Sequence, residues 1–284
     1  MHGFKKKKKS IHEFHFYHHY IMSPPVSFKV PQLKDEIKID SKSEVIRRSS
    51  RLLPDHLKEK LKEEKIIEKD PDISQLNEII FDGKIYYTTD FEGCASLCDQ
   101  IISRINKHPD SIVPIGFDLE WPFSFQTGSG KTALAQVCVS KNTCHLFHIY
   151  KFEKLPLAFI LLLSHPKVKL VGINIKNDVW KLSRDFKEFP GQKVVDNNCI
   201  DCGPFANQVY KRSCRWSLAN LTAYILKKRI SKDDKVRKSK WHILPLSEEQ
   251  KTYAATDAYV SLILYLTIQQ KQKEIEEKDK QEDN

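Results

Sequence analysis

The segment from Pro114 to Trp121 alternates between apolar and polar residues, as a β-strand with one buried face does. Its apolar residues fall on every second position: Ile115, Phe117, Leu119 and Trp121. A strand places such residues on one face, which is therefore predicted to be buried. The opposite face carries two carboxylates, Asp118 and Glu120. Two like charges so close together repel each other and are costly to desolvate.

Two interpretations of this pair remain open from the segment alone. At the edge of a sheet, the polar face would meet water and the pair would need no partner. In a central strand, Asp118 and Glu120 would need a compensating cation, and a divalent metal ion would be the natural one.

The charge of the chain favours a polyanionic partner. The 284 residues carry a formal net charge of +10, which favours binding to nucleic acid or to an anionic membrane surface. The longest apolar run, Leu157 to Leu163, is far too short to span a membrane, so no membrane association is expected. The seven cysteines are an odd number spread thinly along the chain, which favours a reducing compartment.

The composition predicts three regions. Residues 1–75 form a basic, mostly disordered N-terminal arm, residues 76–270 form the folded domain, and residues 271–284 form a polar tail that is expected to fray. The lysine run Lys5 to Lys9 fits a nuclear-import signal, a loose contact with nucleic acid, or a solvated tail. We expect a nuclear location on the first of these interpretations.

The folded region is predicted to be an α/β domain with a mixed central β-sheet flanked by helices. The predicted strands are Ile85 to Tyr87, 113–121, 132–139, 143–150, Lys169 to Ile173, and a short one at Val194-Val195-Asp196. The predicted helices run from the N-cap Asp90 to about Ile105, over about 155–164, from Asn177 to about Asp185, over Trp216 to Leu226, and from a capping box at Ser247 and Gln250 to about Gln270.

Two segments resemble binding motifs but lack part of the pattern. Thr127 to Thr132 is rich in glycine, like a phosphate-binding loop. However, Phe125 occupies the position where that pattern requires a glycine, and the segment joins two predicted strands. We expect a hairpin turn there. Cys199, Cys202 and Cys214 raise the question of zinc, but no histidine has suitable spacing, and free thiols are expected.

Three further residues could join the strand carboxylates. Asp178 lies near a predicted helix start, and Tyr253 and Asp257 lie four residues apart in the last helix, so they project from the same face. Asp178 could instead favour a helix N-terminus, and Tyr253 could be a core residue. Asp257 is harder to explain in this way, because small apolar residues such as Ala254 and Ala258 surround it.

Taken in order, these segments closely resemble the motifs of the DEDD exonuclease superfamily. They are Phe117-Asp118-Leu119-Glu120-Trp121, Gly172 to Leu182 around Asp178, and Tyr253-Ala-Ala-Thr-Asp257. The tyrosine four residues before the last aspartate marks the tyrosine-type branch, which includes ribonuclease D. Within that branch, Phe117 to Pro122, Leu146-Phe147-His148 and Trp180 to Asp185 resemble the exonuclease domain of the Werner syndrome protein. The chain ends soon after this region, so a free-standing exonuclease without a helicase is expected.

The resemblance implies a ribonuclease H-like fold and a two-metal site for Mg²⁺ or Mn²⁺. Asp118 would bridge the two ions, Glu120 and Asp257 would hold the ion on the nucleophile side, and Asp178 would hold the second ion through water. Tyr253 would orient the attacking water. The implied reaction is 3′–5′ removal of 5′-mononucleotides, and this polarity comes from the resemblance alone.

The predicted nucleic-acid contacts are four basic residues and one tryptophan. A basic stretch before the last helix contains Lys235, Arg237, Lys238 and Lys240, which would contact phosphates or form a solvated loop. Trp180 would lie near the terminal nucleotide or pack in the core. We expect a DNA exonuclease of repair, replication or genome maintenance. An exoribonuclease like ribonuclease D is the first alternative, and an inactive nucleic-acid-binding adaptor is the second.

Overall fold

The computed structural model describes residues 71–231 and 233–282, so most of the predicted N-terminal arm lies outside the described residues. The strands are β1 (Lys84–Thr88), β2 (Val113–Glu120), β3 (Phe123–Ser124), β4 (Gly128–Ser129), β5 (Leu134–Ser140), β6 (Thr143–His148), β7 (Val168–Gly172) and β8 (Cys199–Asp201). Six of them form one sheet in the order β1-β6-β5-β2-β7-β8, and β3 pairs with β4 in a small hairpin. Of the pairings in the large sheet, β5 is antiparallel to both β2 and β6, and the rest are parallel. The predicted mixed sheet is confirmed.

Helices cover both faces of this sheet. They are α1 (Phe91–Lys107), α2 (Leu157–Leu163), α3 (Ile175–Asp185), α4 (Gly191–Asn198), α5 (Cys202–Val209), α6 (Leu218–Leu226), α7 (Asp234–Arg237) and α8 (Glu248–Glu282). Buried residues of α1 to α4 pack with one side of the sheet, and those of α5, α6 and α8 pack with the other. The result is a three-layer α/β/α domain. No helix among the described residues is long and apolar enough to cross a membrane.

Strand β2 lies inside the sheet, between β5 and β7, and not at its edge. Ile115, Phe117 and Leu119 are buried on the face predicted from their alternation. The other face is covered by α8, which approaches so closely that a Cβ added at Gly116 would lie 1.9 Å from the carbonyl oxygen of Ala258. The face that carries Asp118 and Glu120 therefore meets α8, and the edge-strand interpretation of this segment is wrong.

Helix α8 begins at the predicted capping box. The Ser247 backbone N–H donates to Gln250 Oε1 at 2.9 Å, and the Gln250 N–H donates to Ser247 Oγ at 3.2 Å. The predicted helix end at about Gln270 is wrong, because the helix continues to Glu282. The residues of this last part are strong helix formers, and pairs such as Gln272 and Glu276 bond one turn apart.

The prediction of a strand at Val194-Val195-Asp196 is also wrong, because these residues lie in α4. The buried residues of this helix are Gly191, Val194, Val195 and Asn198. They recur at helical spacing, so one face packs on the core although the two valines favour a strand. The nearby strand is β8, which begins one residue after the helix ends.

A hairpin is present at the predicted place, but its turn lies at residues 125–127, and Gly128–Ser129 form its second strand. Phe123 pairs with Ser129 and Ser124 pairs with Gly128 in the β3–β4 ladder. The segment leads into β5 and not into a helix, so it lacks the strand-to-helix geometry of a phosphate-binding loop.

Candidate metal centre

Three carboxylates meet at the end of β2 and the side of α8. Asp118, Glu120 and Asp257 each offer one oxygen atom, and these oxygens all lie within 4.8 Å of one another. Asp118 and Glu120 are two residues apart on β2, so they project from the same face. The close approach of α8 to Gly116 brings Asp257 to that face. Residues distant in the sequence thus form one acidic cluster.

The cluster is electrostatically unfavourable without a cation. Burial raises the pKa of Asp118 to about 6. Burial also raises the pKa of Glu120 well above its usual value, and the neighbouring carboxylates raise it further. The pKa of Asp257 is raised by burial and by the charge of Asp118. Three carboxyl groups that resist ionisation together are a strong site for a cation that compensates their charge.

Asp178 lies beside this cluster without belonging to the group of three. It occupies the first turn of α3, immediately after β7, the parallel neighbour of β2. Burial raises the pKa of Asp178 to about 9, and the charges of Asp118 and Asp201 contribute. The structure therefore couples Asp178 to the cluster, and the greater separation suits the water-mediated role that was predicted for it.

Tyr253 lies one helical turn before Asp257, with its hydroxyl bonded to the Asp257 carboxylate. Burial raises the pKa of the phenol, as do the charges of Asp257 and Glu120. The group is therefore a neutral hydrogen-bond donor at ordinary pH. Its ring lies beside the buried Trp241, with 6.2 Å between the ring centroids.

Arg237 is the predicted nucleic-acid contact that the structure brings near the carboxylates. Its guanidinium donates to Asp234 at 2.8 Å and 3.2 Å, and this bond raises the pKa of Arg237. The charge of Arg237 lowers the raised pKa of Glu120, so the two groups interact. A hydrogen bond from Trp241 Nε1 to the carbonyl oxygen of Arg237, at 3.1 Å, anchors the end of α7.

The other predicted basic contacts flank Arg237 in the chain. Lys235, Lys238 and Lys240 are exposed, and Lys238 is bonded to Asp234 at 2.6 Å. Trp180 is half-buried and packs against the core between α3 and α4. Its core interpretation therefore has direct structural support, while contact with a nucleotide stays a prediction.

Asp201 was missed by the sequence analysis, which considered its neighbours Cys199 and Cys202 as possible zinc ligands and predicted free thiols. It ends β8, caps α5 by accepting from the Gly203 N–H at 3.0 Å, and raises the pKa of Asp178. The available signal was its place between a strand and a helix, since the carboxyl ends of parallel strands meet at one edge of a sheet. The cysteines around it are free thiols.

The residues present fit a divalent ion. The donors are all carboxylate oxygens, which suit hard cations such as Mg²⁺ and Mn²⁺. They are gathered closely enough to share an ion, and the raised pKa values of Asp118 and Glu120 indicate a site that a cation would stabilise.

Comparisons with known proteins agree with this chemistry. Residues 93–273 match the model of a family described as 3'-5' exonuclease. A protein named "3'-5' exonuclease" from Drosophila melanogaster is 43% identical over 195 residues, covering 69% of this chain and 55% of the relative. One from Drosophila willistoni is 43% identical over 196 residues, with the same shares. The chain thus spans about half the length of the curated relatives that it matches.

Solved structures share the fold. Escherichia coli RNase D, described as an exoribonuclease involved in structured RNA processing, has a TM-score of 0.52 at 19% identity, over 68% of this chain and 45% of that one. The catalytic core of RRP6 from Trypanosoma brucei has a TM-score of 0.50 at 18% identity, over 70% and 50%. These identities establish the fold alone. Together with the family match, the ribonuclease H-like fold and the acidic cluster, they lead to one conclusion: the chain belongs to the 3′–5′ exonuclease family of the DEDD superfamily, whose members depend on divalent metal ions.

Proposed function

We propose that this protein is a metal-dependent exonuclease that removes 5′-mononucleotides from the 3′ end of DNA. The observation that carries the proposal is the convergence of Asp118, Glu120 and Asp257, with Asp178 and Tyr253 coupled to them. Catalytic sites gather groups of perturbed pKa in this way. The bond between Tyr253 and Asp257 supports assignment to the tyrosine-type branch, and the motifs support a Werner-type enzyme.

The carboxylates would hold two ions, either Mg²⁺ or Mn²⁺. In this assignment Asp118 would be a ligand of both ions, Glu120 and Asp257 would hold the ion on the nucleophile side, and Asp178 would hold the second ion through water. Bound ions supply a water of lowered pKa and stabilise the charge that develops on the leaving 3′ oxygen. The more distant place of Asp178 supports its separate role.

Tyr253 orients the attacking water in this proposal. Its phenol stays protonated among the carboxylates, so it is not a bulk base; because its one hydrogen is donated to Asp257, its oxygen would accept a hydrogen bond from the attacking water and so orient it. The Asp257 carboxylate accepts from the phenol and thereby sets its direction.

Arg237 is proposed to bind a phosphate next to the bond that is cleaved. A guanidinium held by Asp234 keeps further N–H donors for phosphate oxygens. Its interaction with Glu120 supports a place at the site, whereas the exposed Lys235, Lys238 and Lys240 suit weaker contacts along the strand.

The choice of DNA, the nuclear location and a role in genome maintenance rest on the Werner-type resemblance, the net charge of +10 and the lysine run Lys5 to Lys9. The division into an arm over residues 1–75, a catalytic domain over 76–270 and a tail from 271 is part of the same proposal. The same four carboxylates and tyrosine could also support hydrolysis of RNA, so the choice between DNA and RNA needs a direct test.

That test uses a 5′-labelled DNA oligonucleotide and an RNA oligonucleotide of the same sequence. Each is incubated with the native protein in Mg²⁺ or Mn²⁺, then in EDTA, beside the Asp118→Ala/Glu120→Ala double variant. We expect a descending ladder of DNA that EDTA and the double variant abolish. Faster loss of the RNA would make the enzyme an exoribonuclease, and a ladder that survives the double variant would refute the assigned site.

A further inference from the structure

Two aromatic rings project from the hairpin that directly follows the strand of Asp118 and Glu120. Phe125 is fully exposed at 100% and Phe123 is 64% exposed. Their ring centroids lie 5.4 Å apart, with the planes at 85°. The two rings therefore contact each other edge to face while most of their surface meets solvent. Paired exposed aromatic side chains of this kind mark a binding surface more often than an isolated exposed residue does.

The base of the hairpin is joined to the rest of the domain by hydrogen bonds. The Gly130 N–H donates to the Pro122 carbonyl oxygen at 2.8 Å, and Lys181 Nζ donates to the Gly130 carbonyl oxygen at 2.7 Å. Lys181 also forms a buried ion pair with Asp185. Asp185 in turn accepts from the backbone N–H and the hydroxyl of Thr132, each at 2.7 Å.

This network connects the hairpin to α3, the helix that carries Asp178. Lys181 and Asp185 belong to that helix, and Lys181 Nζ lies 5.4 Å from the ring centroid of Trp121, the residue after Glu120. The aromatic pair and the carboxylates are thus fixed to the same two elements. Their separation is therefore set by the fold, as a substrate-positioning surface requires.

The hairpin lies close enough to the metal centre to contact the same nucleic-acid strand. Phe123 follows Glu120 by three residues, so their backbones are at most about 10 Å apart. Successive nucleotides of one strand of B-DNA rise about 3.4 Å, so the platform would meet a base within about three nucleotides of the cleaved bond. Lys131 supplies a positive charge at the hairpin base, where its Nζ donates to the carbonyl oxygen of Phe152 and lies 4.5 Å from the ring centroid of Phe186.

We propose that Phe123 and Phe125 form a stacking platform for unpaired bases of the substrate strand, upstream of the nucleotide that is removed. This inference rests on the proposed nuclease function. Every base has a π-face, so stacking on aromatic rings tolerates any sequence, as an exonuclease needs. Inside a duplex both faces of a base are covered by the neighbouring bases, so a base must leave that stack to contact the platform, which favours single-stranded over paired 3′ ends.

The test measures equilibrium binding in EDTA, where hydrolysis does not interfere. A 5′-labelled single-stranded oligonucleotide is titrated with the native protein, Phe123→Ala, Phe125→Ala and the double variant, by fluorescence anisotropy. Leu157→Ala is the matched control, because Leu157 is 68% exposed on α2. We expect the double variant to bind about tenfold more weakly, the control to match the native protein, and all melting temperatures to agree because the removed rings are exposed.

A second series moves a single abasic nucleotide along the oligonucleotide from the 3′ end. If a base stacks on the platform, removing that base should weaken native binding and should have little further effect in the double variant, because both changes remove one interaction. The proposal is overturned if the native protein and the double variant bind with the same Kd, or if no abasic position shows this coupling. If the native protein shows the coupling in EDTA but does not hydrolyse the oligonucleotide in Mn²⁺, the nuclease proposal is refuted and the stacking platform is retained.

Discussion

Tyr253 shows how a single hydroxyl can be fixed by its surroundings. The carboxylates around it oppose ionisation of the phenol, and the hydroxyl donates a hydrogen bond to the Asp257 carboxylate. We predict that Tyr253→Phe lowers kcat about 100-fold, because the water loses its orientation, while the melting temperature and the metal affinity change little.

Single-turnover hydrolysis of a labelled oligonucleotide measures this effect. Tyr259→Phe is the matched control, since Tyr259 lies in the same helix but packs against Phe81, with 5.3 Å between the ring centroids. A Tyr253→Phe enzyme that keeps the native kcat would refute the assigned role of the phenol.

Asp178 makes the metal-free protein sensitive to pH. Its pKa of about 9 in the fold lies above the ordinary value of 3.8, so between these values the folded protein holds a proton that the unfolded chain releases. The stability from this group is therefore lost as the pH rises towards 9. We predict that raising the pH from 7 to 9 lowers the free energy of unfolding by about 1–2 kcal/mol more in the native protein than in Asp178→Asn.

Urea unfolding in EDTA at the two pH values checks this prediction. The window lies above the range in which His145 titrates, because burial lowers the pKa of that histidine to about 4. The same loss of stability in both proteins would show that Asp178 is not responsible. Addition of Mn²⁺ should stabilise the native protein more than the variant.

The residues of the candidate site differ in how far the sequence predicts them. Local spacing predicts two pairs of site residues, because strand and helix periodicity place the members of each pair on one face. The pairs are Asp118 with Glu120 and Tyr253 with Asp257. Asp201 has no such local partner, and its importance follows only from the position of β8 beside β7. Arg237 was one of several basic residues until the structure placed its charge near Glu120.

At the scale of elements, the contact between β2 and α8 decides whether the site forms. An alanine at Gly116 would place its Cβ 1.9 Å from the Ala258 carbonyl oxygen, so the helix would have to move away from the strand. We predict that Gly116→Ala lowers the free energy of unfolding by about 3 kcal/mol because of this overlap. It should also lower kcat at least tenfold, because Asp257 moves away from Asp118.

Urea unfolding and initial hydrolysis rates measure the two effects. Gly172→Ala gives a milder comparison within the same sheet, since the nearest atom to its new Cβ lies at 3.1 Å. A Gly116→Ala protein as stable and as active as the native one would show that the contact is not needed.

The strands and helices that carry the site were predicted more accurately than the elements around it. The alternation of β2 and the capping box of α8 are strong local signals. At Val194 and Val195 the residue preference for strands conflicted with helical spacing, and tertiary packing decided for the helix. The polar end of α8 suggested fraying, but the helix continues because its charged and amide residues are good helix formers.

At the scale of the whole molecule, strand order explains the convergence. Strands β2 and β7 are parallel neighbours, so Glu120 and the start of α3 meet at one edge of the sheet. Helix α8 then crosses the sheet and adds Asp257. Local pattern in the sequence cannot reveal which strands are neighbours. The ribonuclease H-like arrangement was therefore predicted from the resemblance to the exonuclease family and not from periodicity.

The central claim is that Asp118, Glu120, Asp178 and Asp257 form one site for divalent ions. Titration of Mn²⁺ followed by electron paramagnetic resonance counts the ions bound to each chain. We predict two for the native protein and a loss of both in Asp118→Asn/Glu120→Gln, whereas Glu153→Gln, which changes an exposed carboxylate, keeps both. If the Asp118→Asn/Glu120→Gln protein binds as many Mn²⁺ ions, as tightly, as the native protein, the site is not where this structure places it.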